Sequence, residues 1–216
     1  MKLEAVSHID RTGNVLFRVS LTNEDNSVLT KTLSPQSLIS LLQNNCEEKL
    51  NYVHIGKLPE GYVNGAIAAE DSFWVLIKVP AQKRLLVHVS GHYQIPYPDL
   101  IFFFKVDHGR LSEKKVYAIK NQQLYRYPFG NVSSEGIICM GNISFKELRL
   151  NSMNRVVDDF FSGITNNDSY SPGSNVTVSY SQQTLLEKLS TMEKFPDRWL
   201  VKSNVSLEKL MKGDMV

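Results

Sequence analysis

One segment of this 216-residue chain has the residue types of covalent chemistry. Residues 125–142 read YRYPFGNVSSEGIICMGN, and Cys139, one of two cysteines, follows a turn rich in Asn, Ser and Gly. The spacing is Asn131, four residues, Gly136, two residues, Cys139. Thiolate is the attacking form of cysteine, and a thiol on an extended loop edge beside turn amides is accessible. Thioester exchange and aminolysis both pass through a tetrahedral oxyanion, which needs a preplaced hydrogen-bond donor. The Asn131 amide, carried on the same turn, suits that task, and Gly136 permits a tight, positive-φ bend between the two. The same residues have a plainer reading. Ile137, Ile138 and Met140 flank Cys139 as they would a structural strand cysteine, and Asn and Gly are common turn residues.

The elements that must position this segment follow from periodicity. Residues 14–21 and 27–33 alternate at period two around a turn rich in Asn and Asp, a hairpin pattern. Ser34-Pro35 then reads as N-cap and first helical position. Leu38, Leu41, Leu42 and Cys46 form the stripe of that helix, with Cys46 a small core filler. From residue 62 the pattern changes to strands, YVNGAIAAE, SFWVLIKV, RLLVHVS and DLIFFFKV, joined by short connections. Sequential strands with tight turns pair with their neighbours, so a four-stranded antiparallel meander over 62–107 is expected, with Trp74 in its core. KKVYAIK and QQLYRY read as a further hairpin inserted over 111–126. Beyond Cys139 the period becomes helical, with Val156, Val157, Phe160 and Phe161 on one helix and Leu185, Leu186, Leu189 and Met192 on another. The polar stretch 162–175 between them reads as a mobile loop.

Composition excludes several function classes. Apolar content is 42%, charged content 21% and net charge +2, so nothing argues for a polyanion-binding surface and nucleic acid is an unlikely partner. Arg110, Lys114 and Lys115 form only a small basic patch, read as a solvated turn. The apolar runs 73–77 and 100–104 are far shorter than the roughly 20 residues of a membrane-spanning helix. The opening residues MKLEAVSHIDRTG carry no apolar signal-type core, and with two cysteines the expected setting is a reducing cytoplasm without disulfides. His88, His92 and His108 have no metal-ligand spacing with a cysteine or carboxylate, so they do not point to a metal site.

Tyr97-Pro98 before the strand DLIFFFKV, followed by Asn-x4-Gly-x2-Cys, resembles the active-site segment of ubiquitin-conjugating enzymes. A closer resemblance is to their bacterial relatives, protein B of the PRTRC system. It is carried by LPEGYV, WVLIKVPAQKR, VYAIK, LYRYPFGNV, GIICMGN and DDFFSGITN, spread over about 58–167. Phe129-Gly130 stands where the eukaryotic signature has His-Pro. The resemblance implies an α+β ubiquitin-conjugating-like domain over 34–216, with residues 1–33 as an N-terminal β-hairpin extension.

It also implies a function. Cys139 would carry a ubiquitin-like protein as a thioester, received from an ATP-consuming ThiF-type activating enzyme and passed to an acceptor, with no cofactor or metal implied. Asn131 would stabilise the oxyanion, and Asp168, in the loop after Phe160-Phe161, would orient or deprotonate the incoming amine. Gly130, Gly136, Tyr97 and Pro98 would shape the loop. The loop 162–175 would border Cys139. The alternative is a non-catalytic interaction scaffold of the same fold in a plasmid-associated complex.

Overall fold

The computed structural model describes residues 2–10, 14–22, 27–45 and 56–213. They belong to two compact units, Met1–Tyr52 and Val53–Val216. In the first, β1 (Lys2–Ile9), β2 (Val15–Thr22) and β3 (Val28–Leu33) form an antiparallel sheet in that order. The β2–β3 pair is the anticipated hairpin. β1 is an addition to it, running from Lys2 opposite Thr22 to Ile9 opposite Val15. Its alternation breaks at Ala5-Val6 and Ser7-His8, so its pattern is weak. Helix α1 (Pro35–Asn45) begins at its cap, where Ser34 Oγ accepts the Ser37 N–H at 3.1 Å. It packs on β2 and β3, so the break between units falls after Tyr52, whereas the sequence reading placed it before the helix. Cys46 and its assignment as core filler lie outside the described residues.

The second unit is built on a five-stranded antiparallel sheet ordered β10-β9-β8-β5-β4. Its strands are β4 (Tyr62–Ala69), β5 (Ser72–Val79), β8 (Leu100–Asp107), β9 (Arg110–Lys120) and β10 (Gln123–Tyr125). The expected sequential meander is corrected here. β6 (Lys83–His88) pairs not with its neighbours in that sheet but with β7 (Gly91–Pro96), and the two form a separate hairpin. β5 therefore pairs directly with β8. Gly91 and Pro96 made β7 look like a connection, although both sit at the ends of a paired strand. β9 and β10, the hairpin expected over 111–126, belong to this same sheet. β9 pairs with β8 over its length and turns into β10 through Asn121 and Gln122, both at positive φ (48° and 62°), as a two-residue hairpin turn requires.

The sheet is buried on both faces, which is why Leu100–Phe104 is an unbroken apolar run. Phe102, Phe104 and Val106 share a cluster with helices α2 (Met153–Ser162) and α3 (Gln182–Ser190). Ile101 and Phe103 face the other way, onto Leu76, Tyr117, Leu124 and Leu210 of α4 (Leu207–Lys212). Trp74 stacks half-buried on Phe103, centroids 6.1 Å apart. Each fully buried Phe of β8 contributes about 1.5–3 kcal/mol relative to exposure. The α2 stripe forms as its spacing requires. Phe160 meets Phe102 edge-on at 5.3 Å, and Phe161 meets Tyr97 at 5.4 Å. That packing fixes where the chain after α2 must run.

Candidate functional site

The spacing Asn131-x4-Gly136-x2-Cys139 is a tight hairpin. Ser133 to Gly136 form its turn, with the Gly136 N–H donating to Ser133 O at 2.9 Å. Ser at the first turn position and Gly at the fourth suit a type I turn. The Ser133 N–H donates to Ile137 O, and the Cys139 N–H donates to Asn131 O at 2.8 Å, so the spacing itself puts Asn131 and Cys139 side by side. The returning arm runs along β9. Val116 N–H donates to Gly136 O, and Ile138 N–H donates to Lys114 O at 3.0 Å. Cys139 is thus an exposed thiol at the end of a sheet-anchored arm whose preceding residue, Ile138, is buried in the core. Gly136 has φ 83°, and a Cβ there would lie 2.5 Å from the Tyr117 ring, so no other residue fits without displacement. The Tyr117 hydroxyl donates to Glu135 O beneath the same turn. Burial pushes its pKa up to about 12, so it is a neutral donor at ordinary pH.

The loop 162–175 borders this hairpin, and it is packed there rather than too polar to pack. Its polar groups make specific bonds. Asn131 Nδ2 donates to Ile164 O at 2.8 Å, its Oδ1 accepts the Asn166 N–H at 3.2 Å, and its own N–H donates to Asp168 O at 2.9 Å. Thr165 exchanges backbone bonds with Val87 and Val89 beside β6. Farther along, buried Asn175 accepts the Ser171 N–H and donates to Tyr127 O at 3.2 Å. Gly130 makes the approach feasible, because a Cβ there would collide with Asn166 O and come within 3.2 Å of Asp168 O. Asn131 itself sits at φ 63°, a left-handed conformation that Asn tolerates better than most residues.

Together these walls enclose an open cleft of about 420 Å³ containing Cys139, Asn131, Gly130, Asp168 and Tyr97. Pro98 is buried next to Tyr97 but does not line it, and Gly136 acts from beneath. Tyr97 packs edge-on against Phe129 at 5.1 Å, and burial holds the Tyr97 and Tyr127 phenols well above their usual range. They are wall, not base. Phe129, where the eukaryotic signature has His, is fully buried between Tyr97 and Tyr127. The Asp168 carboxylate is exposed and accepts Asn166 Nδ2 at 2.7 Å.

Sequence reasoning missed a second cleft carboxylate, Asp159, half-buried on α2 and 3.7 Å from Arg155. It lies in DDFFSGITN, but only the seating of Phe160 and Phe161 brings it to the wall of the cleft. Gln182, fully buried with its Oε1 close behind Gly130, was missed as well. Among the described residues no group of His, Cys, Asp and Glu could hold a metal ion, and no helix is long and apolar enough to cross a membrane. His88 is buried, which lowers its pKa, and its Nδ1 accepts the Ser90 N–H at 3.1 Å.

The curated proteins and the solved structures gave no match to this chain. Residues 50–203 match prokaryotic E2 family D, a span that starts near the break between the two units and takes in the whole cleft. This agrees with the prokaryotic ubiquitin-conjugating-like resemblance carried by the segments around Cys139, and with an antiparallel sheet flanked by few helices. With more than half of its length matched, the chain belongs to prokaryotic E2 family D.

Proposed function

We propose that Cys139 accepts a ubiquitin-like protein as a thioester from a ThiF-type activating enzyme and passes it to an acceptor. The observation that carries this reading is the hairpin 131–139, which bonds the Cys139 backbone to Asn131 and presents an exposed thiol on a cleft, in a chain of an E2 family. In loading, the Cys139 thiolate attacks the acyl carbon held by the activator. A new C–S bond forms, and the leaving group departs with the activator. In transfer, the acceptor nucleophile attacks the thioester carbonyl and the Cys139 thiolate leaves. Both steps place negative charge on the carbonyl oxygen. Asn131 Nδ2 has two hydrogens, of which Ile164 O takes one, and the other is the donor we assign to that oxygen. Asp168 is the group assigned to receive or orient the acceptor proton, with Asp159 as the second carboxylate within the cleft.

The engagement of both polar atoms of Asn131 by residues 164–166 favours a second reading, a non-catalytic scaffold in which Asn131 only builds the loop. One experiment separates the two. The chain is mixed with a ThiF-type activator, its ubiquitin-like protein and ATP, and adducts are separated with and without thiol. A thiol-sensitive adduct is expected with the parent, and a thiol-resistant oxyester with Cys139→Ser. An unchanged adduct in Cys139→Ser removes the catalytic assignment, and absence of any adduct with the parent favours the scaffold.

A further inference from the structure

Arg110 and Lys114, with Lys115, read in sequence as a solvated turn, but the fold gives two of them a cleft. β9 carries Arg110 and Lys114, and the chain beyond Cys139 returns beside them, bringing Ile143, Phe145 and Lys146 from 29 or more residues away. Arg110, Leu111, Lys114, Ile143, Phe145 and Lys146 line an open groove of about 350 Å³. No acidic side chain lines it. Glu113, the one acid on β9, pairs with Lys115 at 3.5 Å, and Asp107, opposite Arg110 across the β8–β9 pair, does not line the groove. Arg110, Lys114 and Lys146 have no ion-pair partner among the described residues. Ile143, 47% exposed, lines both this groove and the Cys139 cleft, so the two adjoin at that side chain.

We infer that this groove docks an acidic segment of the acceptor protein that also carries an apolar side chain. Charge complementarity sets the sign of the occupant. Three unpaired cations around an apolar floor of Leu111, Ile143 and Phe145 match carboxylates flanking a hydrophobic residue, and that floor has nothing to offer a phosphate backbone. The role of acceptor follows from position and rests on the thioester reading. A donor joined covalently to Cys139 is already held, whereas an acceptor arrives by diffusion and gains effective concentration from a second contact beside the cleft.

The test is binding of a fluorescein-labelled peptide of alternating glutamate and leucine to the full chain, read by anisotropy, with an oligonucleotide of equal charge alongside. The peptide is expected to bind the parent and Cys139→Ala alike, to weaken with salt, and to lose about tenfold or more in affinity in Lys114→Glu/Lys146→Glu. Phe145→Ala should weaken the peptide while leaving the salt dependence in place. Absence of peptide binding up to about 1 mM, or equal binding by the charge-reversed chain, overturns the site. Tighter binding of the oligonucleotide overturns the peptide assignment in favour of nucleic acid. These readings do not use thioester chemistry, so failure of adduct formation and failure of docking are separate results. If both succeed, peptide-fused acceptor should be modified faster than unfused acceptor by the parent but not by Lys114→Glu/Lys146→Glu. Equal rates with the parent place the groove outside acceptor selection.

Discussion

Two stretches of this chain share a composition and have different reasons for their order. The turn 131–139 and the loop 162–175 are both rich in Asn, Ser and Gly. The first is held by its backbone, as one arm of a hairpin that pairs with β9. The second touches β6 through the backbone only at Thr165 and is otherwise tied down by side-chain amides, those of Asn131 and Asn175. Each also leans on a tyrosine whose hydroxyl donates to a backbone carbonyl, Tyr117 to Glu135 O and Tyr170 to Tyr180 O. Polar composition alone therefore says little about how a segment is held. What matters is whether the polar groups find partners within reach.

The comparison can be broken most severely at the amide that joins the two stretches. Asn131→Ala removes the bonds to Ile164 O and Asn166 N–H together with the assigned oxyanion donor. Single-turnover transfer from Cys139 should slow by roughly 10²–10³, with loading less affected because the activator can stabilise its own oxyanion. A parent-like transfer rate with a folded chain would show that Asn131 only holds the loop. Gly136→Ala acts on the backbone-held stretch alone. Left-handed φ and the Tyr117 ring together should cost about 2–4 kcal/mol, read as a lower denaturation midpoint.

Asn175→Ala acts on the side-chain-held stretch. The Tyr127 and Phe129 carbonyls lose their donor, at about 1–3 kcal/mol, and hydrogen exchange should rise over 166–176 while 131–139 stays protected. Equal exchange in both stretches would mean that they share one unit of stability. The tyrosines give a smaller, pH-dependent test. Tyr117 and Tyr170 have pKa values raised by burial from 10.0 to about 12, so the folded state favours the neutral phenol. Their contribution is complete below the unfolded value near 10 and is lost as pH rises through about 12. Stability measured from pH 9 upward should fall less steeply in Tyr117→Phe and Tyr170→Phe than in the parent. Asp168→Ala should change fold stability least of all, because its backbone carbonyl, not its carboxylate, holds Asn131, yet it should slow acceptor discharge. If Asp159→Asn slows discharge and Asp168→Ala does not, the proton role moves to α2.

Much of the site was legible because it is local. Asn131, Gly136 and Cys139 lie within nine residues, and a turn with Ser at its start and Gly at its end can close only by bringing the flanking residues together. The stripes on α2 and α3 were legible for the same reason, since a helix shows its buried face within two turns. The strand order was not. RLLVHVS looks as fit for the main sheet as DLIFFFKV, and only long-range pairing decides that β5 meets β8 while β6 folds onto β7. Asp159 stayed hidden because which neighbour of Phe160 lines the cleft depends on where the ring sits against Phe102 and Tyr127.

By itself, the sequence determined the Cys139 turn, the helical stripes and the apolar strand β8, which rest on neighbours a few residues apart, and the membership in a prokaryotic ubiquitin-conjugating-like family, which rests on short segments spread along the chain. Tertiary structure alone decided the sheet order, the bonded state of the loop 162–175, the second cleft carboxylate and the meeting of Arg110 and Lys114 with Lys146. Each of these requires groups far apart in the chain to satisfy one another's hydrogen bonds, burial or charge, and a local pattern carries no record of which distant partner will do so.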